Sequence, residues 1–145
     1  MNNMEIIDTR LSKLTETMRL LRGFAQEEKS VFLEDRVKLG AAKYYLLEAI
    51  QVCLDIGNHI IGSMGWERPQ DYASVFSILE QNQVLPTDLA EKLEEMARFR
   101  NRIVHLYGNF DNEILYSVLN EDISDVDSFA DHVLKFMKTK EQKQS

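Results

Sequence analysis

Two long runs of apolar residues with helical spacing constrain the fold of this chain more than any other feature. The first recurs at alternating intervals of three and four residues: Met4, Ile7, Leu11, Leu14, Met18 and Leu21. The second has the same spacing and a second apolar stripe beside it: Leu39, Ala42, Leu46, Ala49, Cys53, Ile56 and Ile60, with Leu47, Ile50, Leu54 and Ile61. Such spacing predicts two amphipathic helices. The wide apolar arc of the second predicts a place at the centre of a helical bundle. We expect the first apolar run, Met4 to Leu21, to pack inside the core of the same chain. Packing against a second copy of the chain is the alternative.

Turn and capping residues divide the rest of the chain into shorter helices. Gly62, Gly65 and Pro69 end the central helix, and the charged residues 27–29 either extend the first helix or link it to the second. The remaining predicted helices are 72–81 capped by Asp71, 86–107 ended by Gly108 and Asn109, 111–119 opened by Asp111, and 122–138. A polar tail, 139–145, is expected to fray. The sequence therefore predicts an all-α, antiparallel bundle of about four to six helices in a single domain, 1–145.

The composition excludes several broad functions. The formal net charge of −7 argues against general coating of nucleic acid, because that affinity depends on many Lys and Arg side chains, so any such contact must be local. A single cysteine, Cys53, provides neither a disulfide nor a zinc cluster. Residues 1–8 do not resemble a signal peptide, and no apolar run is long enough to span a membrane. We expect a cytoplasmic protein.

Most of the reactive chemistry lies in residues 98–107, at the end of the fourth predicted helix, 86–107. This stretch contains Arg98, Arg100, Asn101, Arg102, His105 and Tyr107. Because each helical residue turns about 100°, Asn101 and His105 share a face, whereas Arg100 is about 140° from His105 and reaches it only through its length. A histidine can move a proton at neutral pH, and an arginine can bind a phosphoryl group. Together they are sufficient for RNA cleavage by the RNA's own 2′-hydroxyl.

Spacing alone does not establish that activity. An arginine and a histidine on one amphipathic helix are common, and a solvated face is the simpler explanation. Basic residues near a helix C-terminus are also favoured by the macrodipole.

A family resemblance favours the functional interpretation. Residues 100–107, RNRIVHLY, resemble the R-x4-H-x-Y signature of HepT-like proteins, a branch of the HEPN superfamily. The segments 69–79 and 89–101 resemble the family's approach to this motif, and residues 108–116 resemble its continuation. The similarity covers most of the chain and is strongest from Asp71 to Leu119.

The resemblance implies an α-helical, homodimeric, metal-independent endoribonuclease toxin that needs no cofactor, with paired motifs lining a cleft at the dimer interface. It implies Arg100 and His105 as the catalytic pair and Asn101 as a polar helper. Tyr107 resembles the tyrosine that a cognate minimal nucleotidyltransferase antitoxin modifies with AMP, and the added charge would repel RNA. Arg98 and Arg102 are candidate supporting or RNA-binding residues. Arg102 falls at a variable position, so phosphate contact and a plain surface role both stay open.

Two alternatives remain at this point. The chain is either this RNase or a non-catalytic helical module that binds a nucleotidyltransferase and presents substrate or nucleotide to it. It is not expected to be the nucleotidyltransferase itself, because Asp71, which follows Gly62-Ser63, has no second aspartate two residues on, and no strands are predicted to support such a site.

The weaker candidate sites each have a simpler structural explanation. His59 with Asp55 is a candidate acid–base pair or a boundary contact, and His132 beside Asp131 is expected to be solvated. Tyr44 and Tyr45 are expected to be core or interface aromatics. The acidic run is a helix start or, less simply, a metal site: Glu121, Asp122, Asp125 and Asp127.

Overall fold

The computed structural model describes residues 2–106 and 110–144, and this part of the chain forms helices joined by short loops. Seven helices are described: α1 (Asn3–Ala25), α2 (Lys29–Glu34), α3 (Arg36–Met64), α4 (Tyr72–Gln81), α5 (Thr87–Leu106), α6 (Asn112–Glu121) and α7 (Ser124–Gln144). The predicted all-α class is confirmed. None of these helices combines the length and the apolar character needed to cross a membrane.

Helix α3 lies at the centre of the bundle, as its wide apolar arc predicts. It packs against α1, α2, α4, α5 and α7. Its start is fixed by Asp35, whose carboxylate accepts from the backbone N–H groups of Val37 and Lys38. Its end is fixed by Gly65 at φ 70°, in the left-handed region that glycine tolerates best.

The long helices α1 and α3 pack antiparallel along the seam that the sequence predicts. Lys13 pairs with Glu48 at 3.3 Å, and Asn3 lies 2.9 Å from His59, so residues early in α1 meet residues late in α3. The apolar side chains of α1 from Ile7 to Leu21 are buried in the same chain's core. The intramolecular role of this seam is therefore confirmed.

Helices α3, α4 and α5 pack against one another and position residues 100–106 of the R-x4-H-x-Y motif. Gly57 of α3 allows close approach of α4, because a Cβ built there would lie 2.5 Å from Val75 Cγ1. Helix α4 begins at Asp71 with a capping box to Ser74, as predicted. Helix α5 runs antiparallel to α4, since Ser77 Oγ donates to Glu94 Oε1 at 2.7 Å.

Three sequence predictions need correction: the number of helices, which is seven in the described residues where four to six were expected, the end of the last helix, and a core position for Tyr44. The link after α1 contains an additional helix, α2, held by the buried Phe32 against the ring of Tyr116 at 5.6 Å. The last helix continues to Gln144, so its predicted end at Lys138 is wrong by six residues. Fraying of the tail stays a prediction. Tyr44 is 61% exposed and is not a core residue.

Candidate functional site

Residues 100–106 of the R-x4-H-x-Y motif lie in the last two turns of α5, and one apolar side anchors this helix to the bundle. Met96, Ala97, Phe99 and Ile103 are buried and fix its rotation against the bundle. Arg98, Arg102 and His105 are consequently exposed, while Arg100 and Asn101 are half-buried. Phe99 also packs edge-on against Phe110, at 5.3 Å between ring centroids, across the end of the helix. Tyr107, Gly108 and Asn109 lie outside the described residues.

Arg100 is held inside the bundle by residues from two other helices. Its Nη2 donates to Gln51 Oε1 of α3 at 3.1 Å, and its guanidinium carbon lies 4.8 Å from the centroid of the Tyr72 ring at the start of α4. Gln51 is itself oriented, because its Nε2 donates to Asp55 Oδ1 at 2.9 Å. The stacking contact contributes roughly 0.5–2 kcal/mol. Arg100 thus occupies a defined position before any substrate binds.

The Nε of Arg100 is buried and, within the described residues, has no hydrogen-bond partner. A buried unpaired donor costs about 1–3 kcal/mol. The stacked guanidinium is therefore incompletely satisfied in the free chain, which favours its pairing with an additional acceptor when one arrives.

His105 differs from Arg100 in its surroundings. Its side chain is exposed on the outer face of α5. Five residues separate the two, which amounts to about 7.5 Å along the helix axis and about 140° around it. In a single copy of the chain, the arginine is buried against the helices and the histidine faces outward.

Arg98 and Asn101 line a pocket between α5 and the start of α4. We call it the amide pocket, since its polar lining includes Asn58, Gln70 and Asn101, together with Asp71, Tyr72 and Arg98. It encloses about 540 Å³. The pKa of Asp71 is lowered by the backbone N–H of Ser74, then by the Ser74 side chain and by Arg98. At neutral pH this wall of the pocket therefore carries a carboxylate.

Arg102 lies about 100° around α5 from Asn101 and about 40° from Arg98. Its guanidinium carbon is 5.3 Å from the Phe99 ring centroid. It lines a second pocket of about 450 Å³, here called the acidic pocket, in which four carboxylates face two cations: Glu95, Glu121, Asp122 and Asp125 against Lys92 and Arg102. Burial raises the pKa of Asp122 and of Asp125, and neighbouring carboxylates raise that of Asp122 further. Arg102 is thus placed among carboxylates at the surface.

The other candidate sites resolve into ordinary contacts. His59 Nε2 lies 2.9 Å from Asn3 Oδ1, and Asp55 accepts from Gln51, so His59 makes the boundary contact and the alternative pair with Asp55 does not form. Asp127 of the acidic run pairs with Arg22 of α1. Across residues 2–106 and 110–144, no three His, Cys, Asp or Glu side chains converge as a metal site would require. His132 of α7 is half-buried and lines a pocket with residues 82–84, which follow α4.

Sequence reasoning missed the two residues that position Arg100, Gln51 and Tyr72. One signal was present: Gln51, Asp55 and Asn58 form a polar strip at helical spacing on the otherwise apolar α3. A polar strip on a central helix must face a polar partner. Nothing in the local pattern identifies that partner as Arg100.

Comparisons with known proteins agree with this fold. A family model described as ribonuclease HepT-like matches residues 14–133. The mRNA nuclease HepT of Shewanella oneidensis is 26% identical over 86% of this chain and 95% of the relative. The tRNA nuclease HepT of Aphanizomenon flos-aquae is 26% identical over 81% of this chain and 82% of its own length.

A solved structure extends the likeness to three dimensions. The tri-AMPylated Shewanella oneidensis HEPN toxin, in complex with its MNT antitoxin, superposes with a TM-score of 0.83 at 26% identity. The match covers 93% of this chain and 98% of that one. Since the family model spans the helices from α1 to α7 and includes both Arg100 and His105, the chain belongs to the ribonuclease HepT-like family.

Proposed function

We propose that this chain is an endoribonuclease toxin that cleaves RNA without a metal, using Arg100 and His105, and that a nucleotidyltransferase antitoxin neutralises it. The observation that carries the proposal is the family match over residues 14–133, which includes both residues. Two relatives are named for different RNAs, one for mRNA and one for tRNA. The substrate class that they support in common is RNA. The proposed place of action is the cytoplasm.

The proposed reaction is transesterification by the RNA itself. His105 takes the proton of the 2′-hydroxyl, the 2′-oxygen attacks the adjacent phosphorus, and the bond from phosphorus to the 5′-oxygen breaks. Arg100 stabilises the charge that develops on the phosphoryl oxygens. The products are a 2′,3′-cyclic phosphate and a 5′-hydroxyl, so the leaving oxygen must gain a proton.

A homodimer would supply that proton from a second histidine. The exposed position of His105 on α5 supports this arrangement, because an exposed residue can face a cleft shared by two copies. Asn101, half-buried one helical turn before His105, is proposed to orient the substrate. Arg98 is proposed as a supporting contact to RNA.

Control of the toxin is proposed to act through Tyr107. The antitoxin would transfer AMP from ATP to the tyrosine oxygen, which loses its proton as the α-phosphorus bond to pyrophosphate breaks, and this adds bulk and negative charge two residues from His105. The Shewanella toxin is described as tri-AMPylated and complexed with an MNT antitoxin, which supports the same type of partner here.

The test expresses the chain alone and with a minimal nucleotidyltransferase from the same genome. Expression alone should arrest growth, and Arg100→Ala or His105→Ala should relieve the arrest. Co-expression should also relieve it and add the mass of one or more AMP units at Tyr107, located by peptide mass spectrometry. Tyr107→Phe should stay toxic in the presence of the antitoxin, provided that AMP transfer rather than binding alone is responsible.

Two outcomes would contradict the proposal. Arrest that persists in both alanine variants, with folding confirmed by circular dichroism, would reject the catalytic pair. Relief by an antitoxin that leaves Tyr107 unmodified would reject the proposed control.

A further inference from the structure

His105 projects from α5 on the ridge between two pockets. Relative to His105, Asn101 is offset by about 40° and about 6 Å along the axis, and Arg98 by about 20° and about 10 Å. Arg98 and Asn101 line the amide pocket, so this pocket begins about one helical turn from the histidine. Arg102, which lines the acidic pocket, is offset by about 60° in the same rotational sense as Arg98 and in the opposite sense to Asn101. A nucleotide whose phosphate meets His105 therefore has two cavities within reach.

Charge distinguishes the two cavities. The acidic pocket presents four carboxylates against two cations, and it disfavours an RNA strand with one negative charge per phosphate. The amide pocket balances a single carboxylate, Asp71, with Arg98. It also lies beside Arg100, because Tyr72 lines this pocket while its ring stacks on the Arg100 guanidinium. RNA approaching both catalytic residues thus meets the amide pocket.

The lining of the amide pocket suits a nucleobase. Asn58, Gln70 and Asn101 carry side-chain amides, which offer both donors and acceptors to the edge of a base. Tyr72 is 43% exposed and adds aromatic surface next to them. Base recognition in single-stranded RNA commonly combines these two features, an aromatic surface and hydrogen bonds to base edges.

We propose that the amide pocket binds one base flanking the scissile phosphate, and that Asp71 selects a base with an exocyclic amino group. This inference rests on the proposed ribonuclease function. The Oδ1 atom of Asp71 accepts from the Ser74 N–H at 2.8 Å, and its exposed carboxylate retains further acceptor sites. Adenine, cytosine and guanine carry an amino donor, whereas uracil has a carbonyl oxygen in place of the amino group of cytosine. A carboxylate accepts from an amino group and repels a carbonyl.

The substitution Asp71→Asn tests the selection without removing the helix cap. Asparagine caps helices about as well as aspartate, so its amide oxygen keeps the contact to Ser74 while its NH2 replaces an acceptor with a donor. Asp111→Asn is the matched control, because Asp111 caps α6 by the same contact, to Glu113 N–H at 2.9 Å, and does not line the amide pocket. Both variants change the charge by the same amount.

The measurement is the base frequency at each position around the cut sites in a randomised single-stranded RNA pool. Wild type and Asp111→Asn should show one flanking position at which uracil is depleted by about tenfold. Asp71→Asn should lose that depletion or reverse it. If Asp71→Asn does not fold, Asn58→Ala, on the exposed surface of α3 and outside the cap, should weaken the preference at the same position.

The possible outcomes distinguish failure of the base-pocket inference from failure of the proposed ribonuclease function. Cleavage by wild type with the same base frequencies in Asp71→Asn and Asn58→Ala would overturn the base pocket and leave the ribonuclease proposal intact. No cleavage of any RNA by unmodified wild type would overturn both.

Discussion

The two sides of α5 differ in charge and chemistry, although both border His105. On one side, amide groups, an aromatic ring and one carboxylate line a pocket next to Arg100. On the other, four carboxylates surround Arg102 and Lys92. The same helix thus separates a pocket whose charged side chains balance from one that carries an excess of carboxylates.

The three arginines in residues 98–102 differ in their contacts, and we predict that they do not act as one phosphate-binding patch. Arg100 is held inside the bundle by Gln51 and Tyr72, and Arg102 stacks on Phe99 beside carboxylates. Arg98 borders the amide pocket and lies 3.9 Å from Glu94. Of the three, only Arg100 is held by side chains of other helices and also has a buried Nε without a hydrogen-bond partner among the described residues. The three neighbouring arginines are compatible with the net charge of −7, because the carboxylates of the acidic pocket offset the positive charge of Arg102.

Exchanging arginine for lysine at positions 100 and 102 should give the largest difference between the two sides. Arg100→Lys keeps the charge but loses the planar fork and the stacking on Tyr72, so kcat should fall by about 10²-fold. Arg102→Lys should change kcat by less than about threefold. Single-turnover cleavage of a defined RNA measures both. Equal losses in the two variants would show that the arginines act as one patch.

Removing the group that orients Arg100 should have an intermediate effect. Gln51→Leu preserves the size of the side chain but removes the acceptor for Arg100 Nη2, so kcat should fall about tenfold as Arg100 loses its fixed position. The KM should change less than about twofold, because Gln51 is a positioning residue without proposed contact to RNA. A rise in KM at constant kcat would instead indicate that Gln51 binds substrate.

Neutralising the acidic pocket should have the smallest effect, and one that depends on pH. The pKa of Asp122 is raised in the folded chain, mainly by burial, so its ionised form destabilises the fold. Asp122→Asn should raise the Tm at pH 7 by about 1–2 °C, after allowance for solvent screening. The gain should be complete above the raised folded-state pKa of Asp122 and vanish below its unfolded value of about 3.9.

The control for this measurement is Asp131→Asn, an exposed carboxylate on α7 outside the acidic pocket. It should leave the Tm nearly unchanged over the same pH range. A destabilised Asp122→Asn at pH 7 would mean that the carboxylate makes a favourable contact at the end of α6, contrary to the assigned cost of burial.

Local sequence rules were sufficient for most of the fold. The bounds of α4 were predicted correctly because Asp71 caps one end and the apolar spacing defines the rest. Helix α2 was missed because six residues are too few for a periodic pattern, and its stability depends on distant contacts such as Phe32 with Tyr116. The end of α7 was misplaced because polar composition was taken as the end of a helix.

The candidate site was only partly predictable for a related reason. The helical angles correctly separated Arg100 from His105, because they depend on spacing along one helix. Arg100 contacts Gln51 and Tyr72, and the three residues lie on three different helices. No pattern of neighbouring residues in the sequence predicts these contacts. The division of the arginines between two pockets depends likewise on how α4, α6 and α7 pack around α5.

The most direct test of the central claim is cleavage of a defined RNA by the purified, unmodified chain in the presence of a chelator, with product ends identified by mass spectrometry. The account predicts 2′,3′-cyclic phosphate and 5′-hydroxyl ends, and a rate lower by about 10²–10⁴-fold in His105→Ala, whose exposed side chain makes a loss of folding an inadequate explanation. Undiminished cleavage by His105→Ala, or ends bearing a 5′-phosphate and a 3′-hydroxyl, would contradict it.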